Sequence, residues 1–296
     1  MFKPVKPKDL VSKNLKALIY GQSGIGKTYL STSINNAIVL DLEKGSASAS
    51  NKDIDVIPIE NAKEFKEALE WVKEQPYETI IIDSITRYSE MLFVALSRLY
   101  PDKKDNIRLW GDFDLVSRQR LEDILALNKN IIVTSLEEQV NDAGILLKHP
   151  MYKANKFKVM IPSYFDFVGH LVTDESGKRV LVSEPTDDAI GKNRLVEFGI
   201  PTIIKEDDEL YSFDRIINKL KKGGWYGVNK IPKEHMKKLK KEFTQLEENH
   251  IVWLVLEPYY YVFTKVGSNI MVRVFTEKEE SLKVLQERSK NELDKY

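Results

Sequence analysis

The sequence predicts an α/β protein, a mostly parallel sheet covered by helices on both faces and followed by a smaller C-terminal α+β unit. Three observations predict it. Short, continuously apolar β-type runs recur along the first two thirds of the chain, and helical apolar stripes lie between most of them. The first run opens directly into GQSGIGKT at Gly21 to Thr28, which matches the phosphate-cradling loop G-x-x-x-x-G-K-[ST] at every fixed position. Strands that are apolar throughout, rather than alternating, suit a parallel sheet buried on both faces.

The elements follow in order. Leu15 to Tyr20 (LKALIY) reads as the strand that enters the loop, and Lys27 to Ser33 as the short helix that leaves it. Further strands are expected at Ala37 to Leu42, Ile54 to Ile59, Thr79 to Ile82, Asn130 to Thr134 and Phe167 to Val172. Phe65, Leu69 and Val72 stand at helical spacing within Ala62 to Glu74, and Glu90 to Tyr100 and Phe113 to Asn128 carry similar stripes. After Pro201 comes an acidic stretch, KEDDEL at Lys205 to Leu210, which reads as a hinge, so domains are expected over 1–204 and 205–296. The second contains a basic helix pair, helices at Glu234 to Glu248 and Glu277 to Asp294, and an antiparallel meander of Ile251 to Leu256, Tyr259 to Lys265 and Asn269 to Phe275.

The chain has 296 residues, 42% of them apolar, which is enough for a substantial core. No cysteine is present, so disulfides and thiolate metal sites are excluded, and the four histidines show no metal-ligand spacing. The longest apolar run, Ile251 to Leu256, is far short of the roughly 20 residues that span a bilayer. The lysine-containing N-terminus lacks a secretory apolar core, so a cytoplasmic protein without membrane contact is expected. Charge balances at 45 against 45, but Arg215 to Lys241 holds ten basic residues against the single acid Glu234. That segment, with Trp225 and Tyr226 inside it, is either a polyanion-binding surface or a solvated helix face.

The loop implies nucleotide chemistry. Glycines let the backbone fold tightly, so that N–H groups and the positive end of the helix face phosphate oxygens. Gly21, Gln22, Ser23, Gly24, Ile25, Gly26, Lys27, Thr28 and Tyr29 form the expected binding set for ATP, with Lys27 on the β- and γ-phosphates and the Thr28 hydroxyl on Mg²⁺. TIIIDS at Thr79 to Ser84 supplies Asp83 at the end of an apolar strand, the position of an acid that holds Mg²⁺ through water and that can also cap the next helix. Hydrolysis needs a further carboxylate to orient and deprotonate water. Asp83 is followed by Ser84, not by the glutamate common in AAA+ proteins, so the base must come from elsewhere. Glu43 in VLDLEKG is favoured, with Asp41 as the alternative.

With these motifs together, the chain resembles the RecA-like P-loop NTPase core, and specifically the phage nucleotide-binding proteins that act as RecA-like single-strand annealing ATPases. The order of P-loop, LDLEKG, IIIDSIT and IIVTSLEE carries the resemblance, strengthened by HPMYKANKFKVMIPSYFDFVGHL at His149 to Leu171, in which Asp166 opens a strand. It covers roughly residues 14 to 200. It implies ATP hydrolysis with Glu43 as base, Mg²⁺ at Thr28 and Asp83, and Lys192 and Arg194 as cations that touch the γ-phosphate across a subunit interface. It also implies a homo-oligomeric ring or filament on single-stranded DNA, in phage DNA metabolism in the host cytoplasm, with a single-strand binding protein as a possible partner. The segment after the central strand would contact DNA through Lys148, Tyr152, Lys153, Lys156 and Lys158, cations for phosphates and a ring for bases. One departure is Leu136, which stands where relatives carry a Gln or His γ-phosphate sensor and leaves Ser135 or Glu137 to substitute. A helicase loader or other remodelling ATPase, a non-hydrolysing nucleotide switch, and a small-molecule kinase with Arg108, Arg118 and Arg120 as a lid are the competing readings.

Overall fold

A computed structural model describes residues 14–142, 145–221, 233–243, 251–257, 259–266, 269–275 and 278. These fall in two compact units, the first ending at Lys222 and the second starting at Gly223.

The first unit is built on a ten-stranded sheet whose heart is parallel. Strands β1 (Lys16–Gly21), β2 (Ala37–Asp41), β3 (Asp55–Pro58), β4 (Thr79–Asp83), β5 (Asn130–Asp142) and β7 (Phe167–Thr173) run in parallel pairs, in the order β7-β1-β5-β4-β2-β3. The antiparallel strands β8 (Arg179–Val182) and β10 (Ile203–Lys205) extend the sheet beyond β7, while β6 (Ile145–Pro150) pairs with β5 and β9 (Lys192–Asn193) with β7. Alternation along the strands feeds two cores. Leu18, Tyr20, Ile80 and Ile82 pack with Phe65 and Leu69 of α2 (Ala62–Lys73), Tyr88 of α3 (Ile85–Ser97) and Phe113 of α4 (Asn106–Leu125). Ala17, Ile19 and Ile81 pack on the other side with Leu30 of α1 (Lys27–Ser31) and with Phe213, Ile216 and Ile217 of α6 (Phe213–Lys221). The parallel α/β core expected from the sequence is therefore present.

Helix starts are fixed by local chemistry. The Asn61 side chain accepts from the N–H groups of Lys63 and Glu64, while Glu64 reaches back to the Glu60 N–H at 2.8 Å, a reciprocal cap. Ser84 accepts from the Arg87 N–H and starts α3 five residues before the expected Glu90.

Two expectations change. The central strand does not end at the expected Thr134: β5 runs on to Asp142 and returns as β6, and the short helix α5 (Asn155–Met160) follows. The first unit also continues past the expected boundary at residue 204. The KEDDEL acids are partners rather than a hinge, Glu206 bonding to Arg179 at 2.6 Å and Asp207 to Lys178 at 2.8 Å, and Phe213 and Ile216 are buried beyond them.

In the second unit, α7 (Lys233–Phe243) accompanies an antiparallel sheet of β11 (Ile251–Leu256), β12 (Tyr259–Val266) and β13 (Asn269–Phe275), the expected meander. Leu239, Tyr261 and Val262 are buried, and His235 Nδ1 lies 2.9 Å from the Tyr261 hydroxyl. Trp225, Tyr226 and the expected Glu277 to Asp294 helix lie outside the described residues, apart from Lys278. Among the described residues, no helix is long and apolar enough to cross a membrane.

Candidate active site

The phosphate loop leaves the C-terminal end of β1. Gly24 and Gly26 have φ of +78° and +106°, conformations that favour glycine, and they let the loop turn within a few residues. Because α1 has only five residues, the anion-facing groups are chiefly the loop's own N–H groups. Lys27 is buried and donates to the carbonyl oxygens of Gly21 (3.0 Å) and Gln22 (2.8 Å). Burial lowers its pKa, opposed by the negative charges of Glu43, Asp83 and Glu137.

Strand order places the acids. β5 lies between β1 and β4, with Ile82 level with Val133, so Thr134 stands beside Asp83. Asp83 is buried and accepts from the Thr28 hydroxyl at 2.6 Å and from the Thr134 hydroxyl. Burial pushes its carboxyl above the ordinary range, the two hydroxyl bonds oppose that, and Glu43 and Asp41 add to it. A hydroxyl and a carboxylate in direct contact are oxygen donors of the kind a hard divalent cation selects, so Thr28 and Asp83 fit Mg²⁺.

The structure separates the two candidate bases. Both Asp41 oxygens are committed to backbone, accepting from the N–H groups of Glu43 and Gly45 (both 3.2 Å) and Ser46 (3.0 Å). Asp41 thus builds the turn that presents Glu43. Glu43 is exposed, its N–H lies 3.3 Å from the Asp83 carbonyl oxygen, and its carboxylate accepts from the Ser84 hydroxyl. Ser84, which stands where AAA+ proteins commonly carry a glutamate, therefore holds the glutamate that arrives from β2. Tyr29 lies half exposed beside the loop, with the Lys52 ammonium 3.9 Å from its ring centre.

At the sensor position, Leu136 is level with Gly21, and Ser135 is committed to the Thr86 hydroxyl (3.0 Å) and the Met151 carbonyl oxygen (3.1 Å). Glu137 lies 2.8 Å from His170 Nε2, and the His170 ring stacks on Tyr20 at 4.6 Å. Glu137 and His170, with Gln22, Ile25 and Lys148, line a cavity of about 210 Å³ beside the loop. Of the two possible substitutes, only Glu137 faces the phosphate loop. Burial lowers the His170 pKa, and the bond to Glu137 opposes the shift.

Lys192 and Arg194 lie elsewhere. Lys192 pairs in register with Val168, and Asn193 with Phe167, which is level with Ala17 near the start of β1. Along the sheet, the loop end of β1 is roughly 10 Å from Lys192 and roughly 13 Å from Asn193, at about 3.3 Å per residue. Lys192 donates to the carbonyl oxygens of Pro162 (3.3 Å) and Ser163 (2.7 Å), and Arg194 faces Asp166 at 3.6 Å. Neither meets the phosphate loop of its own chain.

The expected DNA stripe is divided. Tyr152 is 2% exposed, stacked on Phe113 and edge-on to Phe157, so it is a core side chain and offers no face to a base. Lys158 is mostly buried against Glu138 at 2.8 Å, and Lys148 pairs with Asp188 at 2.8 Å. Lys153 and Lys156 are exposed, Lys153 over the Phe93 ring at 4.6 Å. Arg118 and Arg120 pair with Asp114 and Asp123 on their own helix and form no lid.

Sequence reasoning missed Thr134, Ser84, the Glu137–His170 pair and Arg179, which lies against the loop. Each acts through a neighbour distant in sequence, and a single hydroxyl or cation carries no motif.

A family model described as an AAA domain matches residues 13–195. The match spans β1 to β9 and every acid of the site, and the chain belongs to this family of P-loop ATPase domains. No curated protein matches the chain.

Proposed function

We propose that this chain is an Mg²⁺-dependent RecA-like ATPase of phage DNA metabolism that binds single-stranded DNA as a homo-oligomer, ring or filament, and promotes annealing or recombination. The observation that carries the ATPase part of it is Glu43, presented by the Asp41 turn and held by Ser84 beside Asp83. In this reading Glu43 orients a water and takes its proton as the water oxygen bonds to the γ-phosphorus. The bond to the ADP oxygen breaks with its electron pair leaving on ADP, and Lys27 turns from the loop carbonyls to the phosphates. Thr28 and Asp83 would hold Mg²⁺, which would supply charge neutralisation on the phosphate oxygens. Because Lys192 and Arg194 lie far from their own loop, they serve the phosphates of an adjacent copy, and the site is completed by oligomerisation. Lys153 and Lys156 are the exposed cations of the DNA-facing segment, Lys148 on β6 adds a cation held by Asp188, and a single-strand binding protein is the partner that would hand over the DNA.

The test is steady-state ATP hydrolysis by the full chain with and without single-stranded and duplex DNA, with Lys27→Ala as control. Stimulation by single strands that Lys27→Ala lacks supports the reading, and turnover indifferent to DNA overturns the DNA part of it. A second reading, a loader whose ATP cycle remodels a protein, is favoured by the apolar side chains that α4 exposes, Ile107 (87%), Trp110 (42%) and Leu115 (63%). Stimulation by a protein partner instead of DNA would select it.

A further inference from the structure

Arg179 on β8 lies against the phosphate loop from outside. Its Nε donates to the Ile25 carbonyl oxygen at 2.9 Å, and its Nη1 meets Glu206 Oε1 at 2.6 Å. The two residues are also tied through their backbones. The Arg179 N–H donates to Glu206 Oε2 at 3.0 Å, and the Glu206 N–H donates to the Arg179 carbonyl oxygen at 2.9 Å. Gly26 makes the approach possible: a Cβ built there would lie 2.8 Å from Arg179 Nε. The segment that follows Glu206 grips the chain just past α1. The Ser212 hydroxyl and the Asp214 N–H both donate to the Ser33 carbonyl oxygen at 2.9 Å, and the Phe213 N–H donates to the Ser33 hydroxyl at 3.0 Å. The loop and the turn beyond it are thus held at both ends from one segment.

The consequence follows from peptide geometry. In a planar trans peptide, the carbonyl of Ile25 and the N–H of Gly26 point in opposite directions. A donor fixed on the Ile25 oxygen therefore fixes the Gly26 N–H away from Arg179, toward the inside of the loop. Turning this peptide over rotates ψ of Ile25 and φ of Gly26, and Gly26, at φ +106°, supplies the freedom to do so. We propose that Arg179, clamped by Glu206, is a positioning residue that sets the Ile25–Gly26 peptide for phosphate binding. The proposal rests on the reading of this loop as a nucleotide site.

The test is calorimetric titration of the full chain with ADP and Mg²⁺, for the wild type, Arg179→Met, Arg179→Lys, Glu206→Gln and Lys27→Ala. Arg179→Met keeps the apolar stem and removes the donors. It is expected to weaken ADP about tenfold or more, the scale of a lost charge-assisted hydrogen bond. Arg179→Lys should recover part of that loss, and Glu206→Gln should fall between. In turnover assays KM should rise by the same factor while kcat changes less than about threefold, because an ordered loop serves ground state and transition state alike. Should Arg179→Met fail to fold, Arg179→Lys and Glu206→Gln carry the test. Wild-type ADP affinity in the folded variants, even with a lower melting temperature, overturns the proposal alone. A wild-type chain that binds no nucleotide overturns the reading of the loop and the proposal with it.

Discussion

Replacing Asp83 by Asn should stabilise the chain when nucleotide and Mg²⁺ are withheld. Asp83 is 2% exposed, and burial and the nearby charges of Glu43 and Asp41 all oppose its ionised form, against two hydroxyl donors from Thr28 and Thr134. Asparagine removes the charge and keeps the shape. Its carbonyl still accepts from one threonine, and the other hydroxyl can rotate to accept from the new amide. Buried charges exchanged for neutral groups, and functional residues exchanged for structural ones, commonly gain about 1–2 kcal/mol. For a unit of this size that is a rise of roughly 2–8 °C in melting temperature. The assay is thermal unfolding at neutral pH, with and without ADP and Mg²⁺. The variant should melt higher without ligand, and the extra stabilisation that Mg²⁺ adds to ADP in the wild type should disappear. An Asp83→Asn variant that melts lower without ligand would refute the reasoning, because the two hydroxyls would then more than offset the cost of the buried charge and no cation need be invoked.

Glu43→Gln should bind ATP with near wild-type affinity and lose about 10²–10⁴-fold in kcat, the usual contribution of a general base, as read by nucleotide titration beside steady-state turnover. His170 has a folded-state pKa lowered by burial, so the folded chain binds fewer protons than the unfolded chain from about pH 6.5 downward to that lowered value. Stability should therefore fall as pH falls through this window, and His170→Gln should flatten that part of the denaturation profile. If Lys192 and Arg194 act across an interface, a Lys192→Ala/Arg194→Ala double variant and Lys27→Ala should each be inactive yet recover turnover when mixed, since a mixed interface can pair one intact loop with one intact cation pair. Phe213→Ala should cost about 3–5 kcal/mol in the first unit, measured by urea unfolding of the full chain, because the fully buried ring belongs to that core although it lies past the acidic stretch.

What the sequence reveals depends on how far apart the cooperating residues stand. The phosphate loop is legible because its chemistry is contiguous: glycines, lysine and threonine must be adjacent, and the strand before them is apolar. Asp83 is legible because it closes a buried strand, where an acid needs a reason, and Glu43 because it stands just past another such strand. The sheet itself follows from runs too apolar to face water. Tyr152 misleads because an aromatic between lysines looks the same in a base-stacking loop as in a helix-covered strand end, and only its packing against Phe113 and Phe157 decides. The KEDDEL acids mislead for a related reason, since their partners Lys178 and Arg179 lie nearly thirty residues earlier. Ser84 shows the limit most clearly. In sequence it marks the absence of a glutamate after Asp83, yet in the fold its hydroxyl reaches the carboxylate of Glu43, which β2 brings in from the neighbouring position. Parallel pairing of β2 with β4 puts Asp41 opposite Asp83, so Glu43, two residues past Asp41, arrives beside Asp83 without occupying its strand. In the proposed reading the base is thus carried by a neighbouring strand while its place in space is kept, and the serine is the group that holds it there.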